Sequence, residues 1–394
     1  MPAIVPRAGR IVSIDIFRAL TMFLMIFVND LWSITDVPHW LGHAAFDEDM
    51  LGLSDVVFPA FLFIMGMSIP MAIEGRVGKG EPNLFILRHI IIRSVALLVM
   101  GMFTVNTEYG VSENIGLSKP VFIIVMLVGF FLIWNVYPKT EDRKREKLYI
   151  GLKAVGWGIL LILAFLFRDA NGEVFQPRWW GILGLIGWTY LLCAIIYLLL
   201  RKSIVALGSV GLFFIILCIA GVNGWLGEFS GIIPSDGCFH AFTMSGLLLS
   251  ILFNDPRINL DFTKKIVIIT VAGILFLSAG AVAHLWWIIS KLQATPTWLF
   301  FCTGISVLVY IFIYWLTDMK GKAGWFGIIK PAGTATLTCY LVPYLLYALF
   351  SLLNLQLPEV ITTGLLGIIK CILFALMTVG VTALLNKGGI KLKI

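Results

Sequence analysis

The sequence has few charged residues and no long polar stretch. Of its 394 residues, only 13% are Asp, Glu, Lys or Arg, whereas soluble proteins carry roughly 25%. Hydrophobic residues make up 59% of the chain, and the mean hydropathy is +0.97. Because no segment is polar enough to form a separate soluble domain, the composition predicts one transmembrane domain over residues 1–394.

Several familiar motifs are also missing. The six cysteines are scattered and form neither a disulfide framework nor a metal-ligand pattern, so we expect no metal. There is no glycine-rich phosphate loop. No internal repeat is obvious, which disfavours inverted-repeat transporters. The net charge of +7 comes from basic residues at the ends of apolar runs, so it does not indicate nucleic-acid binding.

Twelve apolar segments approach the roughly 20 residues that cross a bilayer. They are 14–34, 53–73, 86–106, 119–137, 150–167, 180–200, 203–221, 238–253, 265–287, 297–317, 330–351 and 359–385. Whether 238–253, the shortest, spans fully is left open. Basic residues concentrate in alternate connections, including Arg7, Arg10, Arg257 and the run 139–147. The sequence therefore predicts an all-α polytopic transmembrane bundle of about twelve helices, with an uncleaved first span and both termini cytoplasmic.

Polar residues cluster in and beside the first two spans. Such groups are costly next to hydrocarbon and usually mark a buried polar path. His43 lies in the predicted outer loop, where a neutral imidazole can accept a proton or attack an acyl group. Asn29 ends the first span and could donate to an oxyanion. Asp55 could hold a histidine tautomer or favour the start of the second helix. We interpret His43, Asn29 and Asp55 as candidate catalytic residues.

Two further groups of residues are candidate ligand contacts. Arg18, Arg88 and Arg93 lie at the predicted cytoplasmic side, where they could bind phosphates of a nucleotide-like cofactor or snorkel to the interface. Asp15 lies three residues before Arg18, so the spacing predicts that the two pair on one helix face. On the predicted outer side, the candidate substrate contacts are Asp30, Ser290 and Lys291.

The chain resembles a known family at these same residues. RIVSIDIFRALTMFLMIFVND (10–30), HAAF (43–46) and LSDVVFPAFLFIMGMSI (53–69) closely resemble heparan-alpha-glucosaminide N-acetyltransferase and its bacterial relatives, in the transmembrane acyltransferase superfamily. Looser similarity appears at 178–190 and 290–304. The core motif region is 10–106, and spans 119–167 look like an inserted helical pair. The resemblance implies that His43, in the HA motif, and Asn29, in the FVN motif, are catalytic.

The resemblance also implies a function. Relatives take acetyl-CoA from the cytoplasm and transfer the acetyl group to a glucosamine amine on the far side. We therefore expect a membrane-embedded, acetyl-CoA-dependent acetyltransferase with a sugar or glycan acceptor, in a bacterial inner membrane. Lipids are expected partners, nucleic acid is not, and a homodimer stays open. The alternatives are a transporter or exporter of a sugar or glycan precursor, and an O-acetyltransferase acting on a glycan hydroxyl.

Overall fold

The computed structural model describes residues 12–112, 115–255, 258 and 260–394. This part of the chain is built from α-helices, with short 3₁₀ turns and no strand. The helices, numbered α1 to α13, are Val12–Asp30, Leu53–Val77, Asn83–Glu108, Lys119–Trp134, Arg143–Leu166, Ile182–Leu200, Ile204–Val222, Cys238–Asn254, Phe262–Ala283, Pro296–Tyr314, Lys330–Thr334, Thr336–Leu352 and Gly364–Lys387.

The all-α polytopic bundle predicted from the sequence is confirmed. Each predicted span overlaps one longer helix, and the predicted span 330–351 is divided into the short α11 and the longer α12. Ten helical segments of the described chain are long and apolar enough to cross a membrane, while α4 and α12 are shorter. The segment left open at 238–253 reaches that length together with the 3₁₀ turn before it, as Pro234–Asn254. The chain is therefore an integral membrane protein.

The chain passes back and forth through the bundle, so its connections gather at two ends. The loops that precede α2, α6, α8 and α10 all line one cavity, together with the start of α4. We call this the His43 end. The Arg18 end, opposite, holds the start of α1 and the C-terminal segment. Which end faces the cytoplasm stays a prediction, and Arg7, Arg10 and Arg257 lie outside the described residues.

Glycines allow α2 and α8 to cross in direct backbone contact. A β-carbon at Gly66 would overlap the Thr243 carbonyl, and one at Gly246 would overlap the Phe63 carbonyl. Small residues permit this close approach in membranes, where packing rather than water exclusion drives helix association. Because both helices are held at this crossing, the N-terminal turn of α2 has a fixed position at the His43 end.

Helices α4 and α5, the predicted inserted pair, pack on one another through Gly129 and Gly156. Trp134 and Trp157 meet edge to face, with ring centroids 5.6 Å apart. Helix α4 also packs against α12, and its first residue, Lys119, lines the cavity at the His43 end. The pair therefore contributes to the wall of the candidate site. Its origin as an insertion, and the limits of the core region 10–106, stay predictions.

Candidate active site

Asp55 holds the loop that carries His43. It lies in the first turn of α2 and is buried, with 1% of its surface exposed. Its Oδ1 is 2.7 Å from His43 Nδ1, and its Oδ2 accepts a hydrogen bond from the Ala44 backbone N–H at 3.0 Å. One carboxylate therefore orients both the imidazole ring and the backbone beside it.

A proline explains how the backbone of Asp55 is itself held. Pro59 has no N–H, so it cannot donate the helical hydrogen bond to the Asp55 carbonyl four residues earlier. That carbonyl instead accepts from the buried indole N–H of Trp298, on α10, at 3.0 Å. The Sγ of Cys302 lies 3.8 Å from the same oxygen. The start of α2 is thus tied to α10 at the residue that contacts His43.

The contact with Asp55 selects a tautomer of His43. A carboxylate accepts hydrogen bonds, so a neutral His43 places its proton on Nδ1 and donates it to Asp55. Nε2 then carries a lone pair. The His43 side chain is 51% exposed and lines the cavity at this end of the bundle. The geometry therefore presents an oriented imidazole that is able to take a proton or an acyl group.

Lys291 adds a positive charge on the other side of the pair. Its Nζ lies 3.3 Å from His43 Nδ1 and 3.8 Å from Asp55 Oδ1. Burial lowers the pKa of Lys291 below its ordinary value, and the nearby Asp55 carboxylate partly offsets this. Since His43 and Lys291 are separated by 248 positions in the chain, only the tertiary fold brings these charges together.

The loop that carries Lys291 is tied to the loop that carries His43. Ser290 Oγ and Gln293 Nε2 both donate to the Phe46 carbonyl, at 3.2 and 2.8 Å. Asp49 pairs with His284 at 2.7 Å and accepts the Ile289 backbone N–H at 2.8 Å. This backbone hydrogen bond and the His284 contact lower the pKa of Asp49. These contacts set the position of Lys291 relative to His43.

The cavity at the His43 end has a volume of about 1190 Å³. Its polar and charged lining includes Asn29, His43, Glu108, Lys119 and Lys291. Much of the remaining wall is aromatic: Trp32, Phe58, Trp179, Trp180, Phe239, Tyr340, Tyr344 and Tyr347. Asn29 and His43 therefore face one space, as the sequence predicts for a shared site.

A smaller, basic cavity adjoins it toward the Arg18 end. This cavity has a volume of about 330 Å³ and is lined by Arg18, Arg93 and Lys393 among others. Met25, Ile182 and Tyr340 line both cavities, which places them side by side. The small basic cavity and the large cavity are therefore adjacent along the bundle, and the large one contains the His43 imidazole.

The two arginines of the small cavity are held by different neighbours. Arg18 pairs with Asp15 at 3.2 Å and donates to Ser68 Oγ at 2.7 Å. The Arg93 guanidinium lies over the Tyr190 ring, 4.6 Å from its centroid. Arg93 Nε is buried and meets no hydrogen-bond acceptor among the described residues. Since a buried charged donor without a partner is costly, the cavity suits an anionic ligand.

Other residues predicted for the site are not among those that line either cavity. Asp30 is fully buried and pairs with Lys370 at 2.9 Å, while Tyr347 donates to it at 2.7 Å. Ser290 is fully buried within the loop that carries Lys291. Arg88 is exposed, and neither it nor Asp15 is among the lining residues. These residues have packing partners or solvent around them, and their roles in binding stay predictions.

Several cavity residues were not singled out from the sequence. They are Glu108, Lys119, Tyr347 and Lys393. Lys370 and the indole of Trp298 were also missed. A lone lysine inside an apolar span, as Lys370 is, usually has a buried partner, so this signal was available. Glu108, Lys119 and Trp298 lie near helix ends and Lys393 lies in the C-terminal segment, where such residues commonly face water or the membrane interface.

Comparisons with known proteins show what the chain is similar to. The model of a family described as "Domain of unknown function (DUF5009)" matches residues 10–224. The mouse heparan-alpha-glucosaminide N-acetyltransferase is 31% identical over 147 residues, which cover 34% of this chain and 21% of that enzyme. The human enzyme of the same name is 28% identical over 177 residues, which cover 40% of this chain and 25% of that enzyme. The chain thus matches about a fifth to a quarter of the length of these curated relatives.

The fold and site define a polytopic integral membrane protein whose helices enclose an aspartate–histidine pair beside a large cavity. Because the family model matches more than half of the chain, the chain belongs to the DUF5009 family. It is a distant relative of the heparan-alpha-glucosaminide N-acetyltransferases, as the sequence resemblance predicts.

Proposed function

We propose that this protein transfers an acetyl group from acetyl-CoA to an amino sugar or glycan. The observation that carries the proposal is that the oriented imidazole of His43 lines a large cavity adjoining a small basic one. The names of the relatives supply the class of reaction. The arrangement offers separate places for an anionic donor and for an acceptor.

The donor would enter at the Arg18 end. Coenzyme A carries phosphates, which guanidinium groups bind through paired, charge-assisted hydrogen bonds. Arg18, Arg93 and Lys393 line the small cavity, and Arg93 Nε has an unused donor. The amides of the coenzyme arm need a protein-lined or hydrated path at membrane depth. The adjoining larger cavity offers such a path toward His43.

His43 would move the proton or carry the acyl group. As a general base, Nε2 takes a proton from the acceptor amine while the nitrogen attacks the thioester carbonyl. The carbon–sulfur bond then breaks, an amide bond forms, and the proton passes to the departing thiolate. As a nucleophile, Nε2 attacks the thioester carbonyl, and the carbon–sulfur bond breaks to release the coenzyme A thiolate. The amine then takes the acetyl group from Nε2, and the proton that the amine loses passes to the thiolate. In both routes Asp55 stabilises the cationic ring.

Asn29 would stabilise the oxygen that gains charge. It ends α1 beside the same cavity as His43. An amide N–H aimed at the developing oxyanion typically contributes about 2.7–4 kcal/mol to the transition state. We therefore assign Asn29 to stabilisation of the oxyanion. The acceptor would bind in the aromatic-walled part of the cavity around Asn29.

The charge pattern supports a proposed direction of transfer. Basic residues predominate in the connections at the Arg18 end, which by the positive-inside rule faces the cytoplasm. Acetyl-CoA would then enter from the cytoplasm, and the acceptor would meet His43 on the outer side. We propose the bacterial inner membrane as the location.

The test is acetyl transfer by the purified protein. Incubation with radiolabelled acetyl-CoA and a panel of amino sugars should label at least one acceptor. His43→Ala should reduce labelling to background and leave coenzyme A binding intact. His39→Ala is the matched control, because His39 lies in the same loop but pairs with Glu48 and is largely exposed. Equal turnover by wild type and His43→Ala would refute the assignment.

The same assay separates the alternative functions. Labelling of a glycan hydroxyl rather than an amine would indicate an O-acetyltransferase. Sugar uptake into proteoliposomes without acetyl transfer would indicate a transporter. Broken helices typically form transporter binding sites, whereas α2 runs as one helix through both Pro59 and Pro70. Coenzyme A binding, seen as a rise in melting temperature, is the quickest distinction.

A further inference from the structure

Lys291 contacts His43 at Nδ1, the ring nitrogen that does not take the proton or the acetyl group in the proposed mechanism. Its ammonium nitrogen is 3.3 Å from Nδ1, the ring nitrogen that faces Asp55. In the tautomer that Asp55 selects, Nδ1 carries a proton and cannot accept another from Lys291. The contact is therefore between a cation and a protonated ring nitrogen. Such a contact favours neutral imidazole over imidazolium.

We propose that Lys291 is a positioning residue that keeps His43 neutral between turnovers. This inference rests on the proposed function of His43. Asp55 alone, paired with the ring at 2.7 Å, would favour the imidazolium form and block Nε2 with a proton. The ammonium at 3.8 Å from Asp55 Oδ1 shares that carboxylate and opposes a second positive charge. His43 thus remains oriented by Asp55 while Nε2 stays free to react.

The surroundings leave Lys291 as the charge that balances Asp55. Lys291 is mostly buried, and its loop is anchored through Ser290 and Gln293 to the Phe46 carbonyl. The other charged groups at this end of the bundle are paired among themselves, lie in the cavity wall or, like Asp47, are exposed. They are the pairs His39–Glu48, Asp49–His284 and Asp30–Lys370, the exposed Asp47, and Glu108 and Lys119 in the cavity wall.

The test measures the protonation of His43 directly. The protein has only five histidines, so NMR of ¹³C-labelled histidine can follow His43, assigned by its loss in His43→Ala. In Lys291→Met, the midpoint of the His43 titration should lie at higher pH than in wild type, because the opposing positive charge is gone. Lys291→Arg, which keeps the charge, should titrate like wild type. Lys291→Gln serves as a second neutral variant if Lys291→Met does not fold.

Kinetics give an independent readout. Removing the Lys291 charge should move the acidic limb of the kcat–pH profile to higher pH, by the same amount as the His43 titration midpoint, because protonated His43 is inactive. An unchanged His43 titration in both neutral variants would overturn the proposal. An unchanged profile with a raised KM for the acceptor would also overturn it, by making Lys291 a substrate contact. If wild type transfers no acetyl group, the proposed function fails, yet the NMR titration still decides this inference.

Discussion

The buried ion pair between Asp30 and Lys370 gives the sharpest test of how the site is supported. Asp30 follows Asn29 at the end of α1, and Lys370 lies within α13. Asp30 is fully buried, and Lys370 Nζ is 2.9 Å from its Oδ2. The Tyr347 hydroxyl, on α12, donates to Oδ1 at 2.7 Å. Three helices are thus joined at the residue beside Asn29.

Asp30→Asn should destabilise the protein by roughly 3–5 kcal/mol, since it leaves the ammonium buried without a countercharge. Lys370→Met should destabilise the protein by a similar amount, because it leaves the Asp30 carboxylate buried without a countercharge. The double variant Asp30→Asn with Lys370→Met removes both charges, so it should return to within about 1 kcal/mol of wild type. Hydrogen bonds between membrane helices often contribute less to stability, about 0.6–2 kcal/mol. We take this range as the lower bound for the destabilisation by each single variant.

Reversible unfolding by SDS in mixed micelles measures these free energies and completes a double-mutant cycle. Additive losses, with the double variant as unstable as the sum of the singles, would refute the pairing. The acceptor KM gives a second readout. A rise in KM for Asp30→Asn at unchanged stability would show that Asp30 contacts substrate, as its sequence position first indicated.

Two further predictions concern the supports of Asp55 and of the donor site. Trp298→Phe keeps most of the ring but removes the N–H donated to the Asp55 carbonyl. It should cost about 1–3 kcal/mol in the same unfolding assay, and wild-type stability would contradict the role given to Pro59. Arg93→Met should raise the Kd for coenzyme A by about 10- to 100-fold in a titration with the purified protein. Arg88→Met, at an exposed site outside the cavity, is the control, and equal effects of both variants would exclude the small cavity as the donor site.

Local properties of the chain made much of the fold predictable. A span requires about 20 apolar residues in succession, which can be read without knowing any contact. The predicted spans accordingly coincide with helices, although their limits moved where polar residues continue a helix. Helix α5, for example, begins at Arg143 rather than at residue 150. Its first turns are polar, so hydropathy alone could not detect them.

The candidate site was predictable where its members are close in sequence. Asn29 and Asp55 lie at the facing ends of consecutive helices, and His43 lies in the loop that joins these helices. The role of Asp30 was less accessible to sequence reasoning. Its neighbour Asn29 faces the cavity, whereas Asp30 points into the bundle toward Lys370. Adjacent residues on a helix point in different directions, and only the packing shows which direction meets the cavity.

Hydropathy, charge and the first sixty residues by themselves determined that this chain crosses a membrane many times and belongs with the N-acetyltransferase relatives. The tertiary structure alone decided which charges far apart in the sequence balance one another. Lys291 meets His43 across 248 positions, and Lys370 meets Asp30 across 340. Membrane insertion depends on the composition of each segment, which is local. Ion pairing depends on how distant helices pack, and no single segment encodes that arrangement.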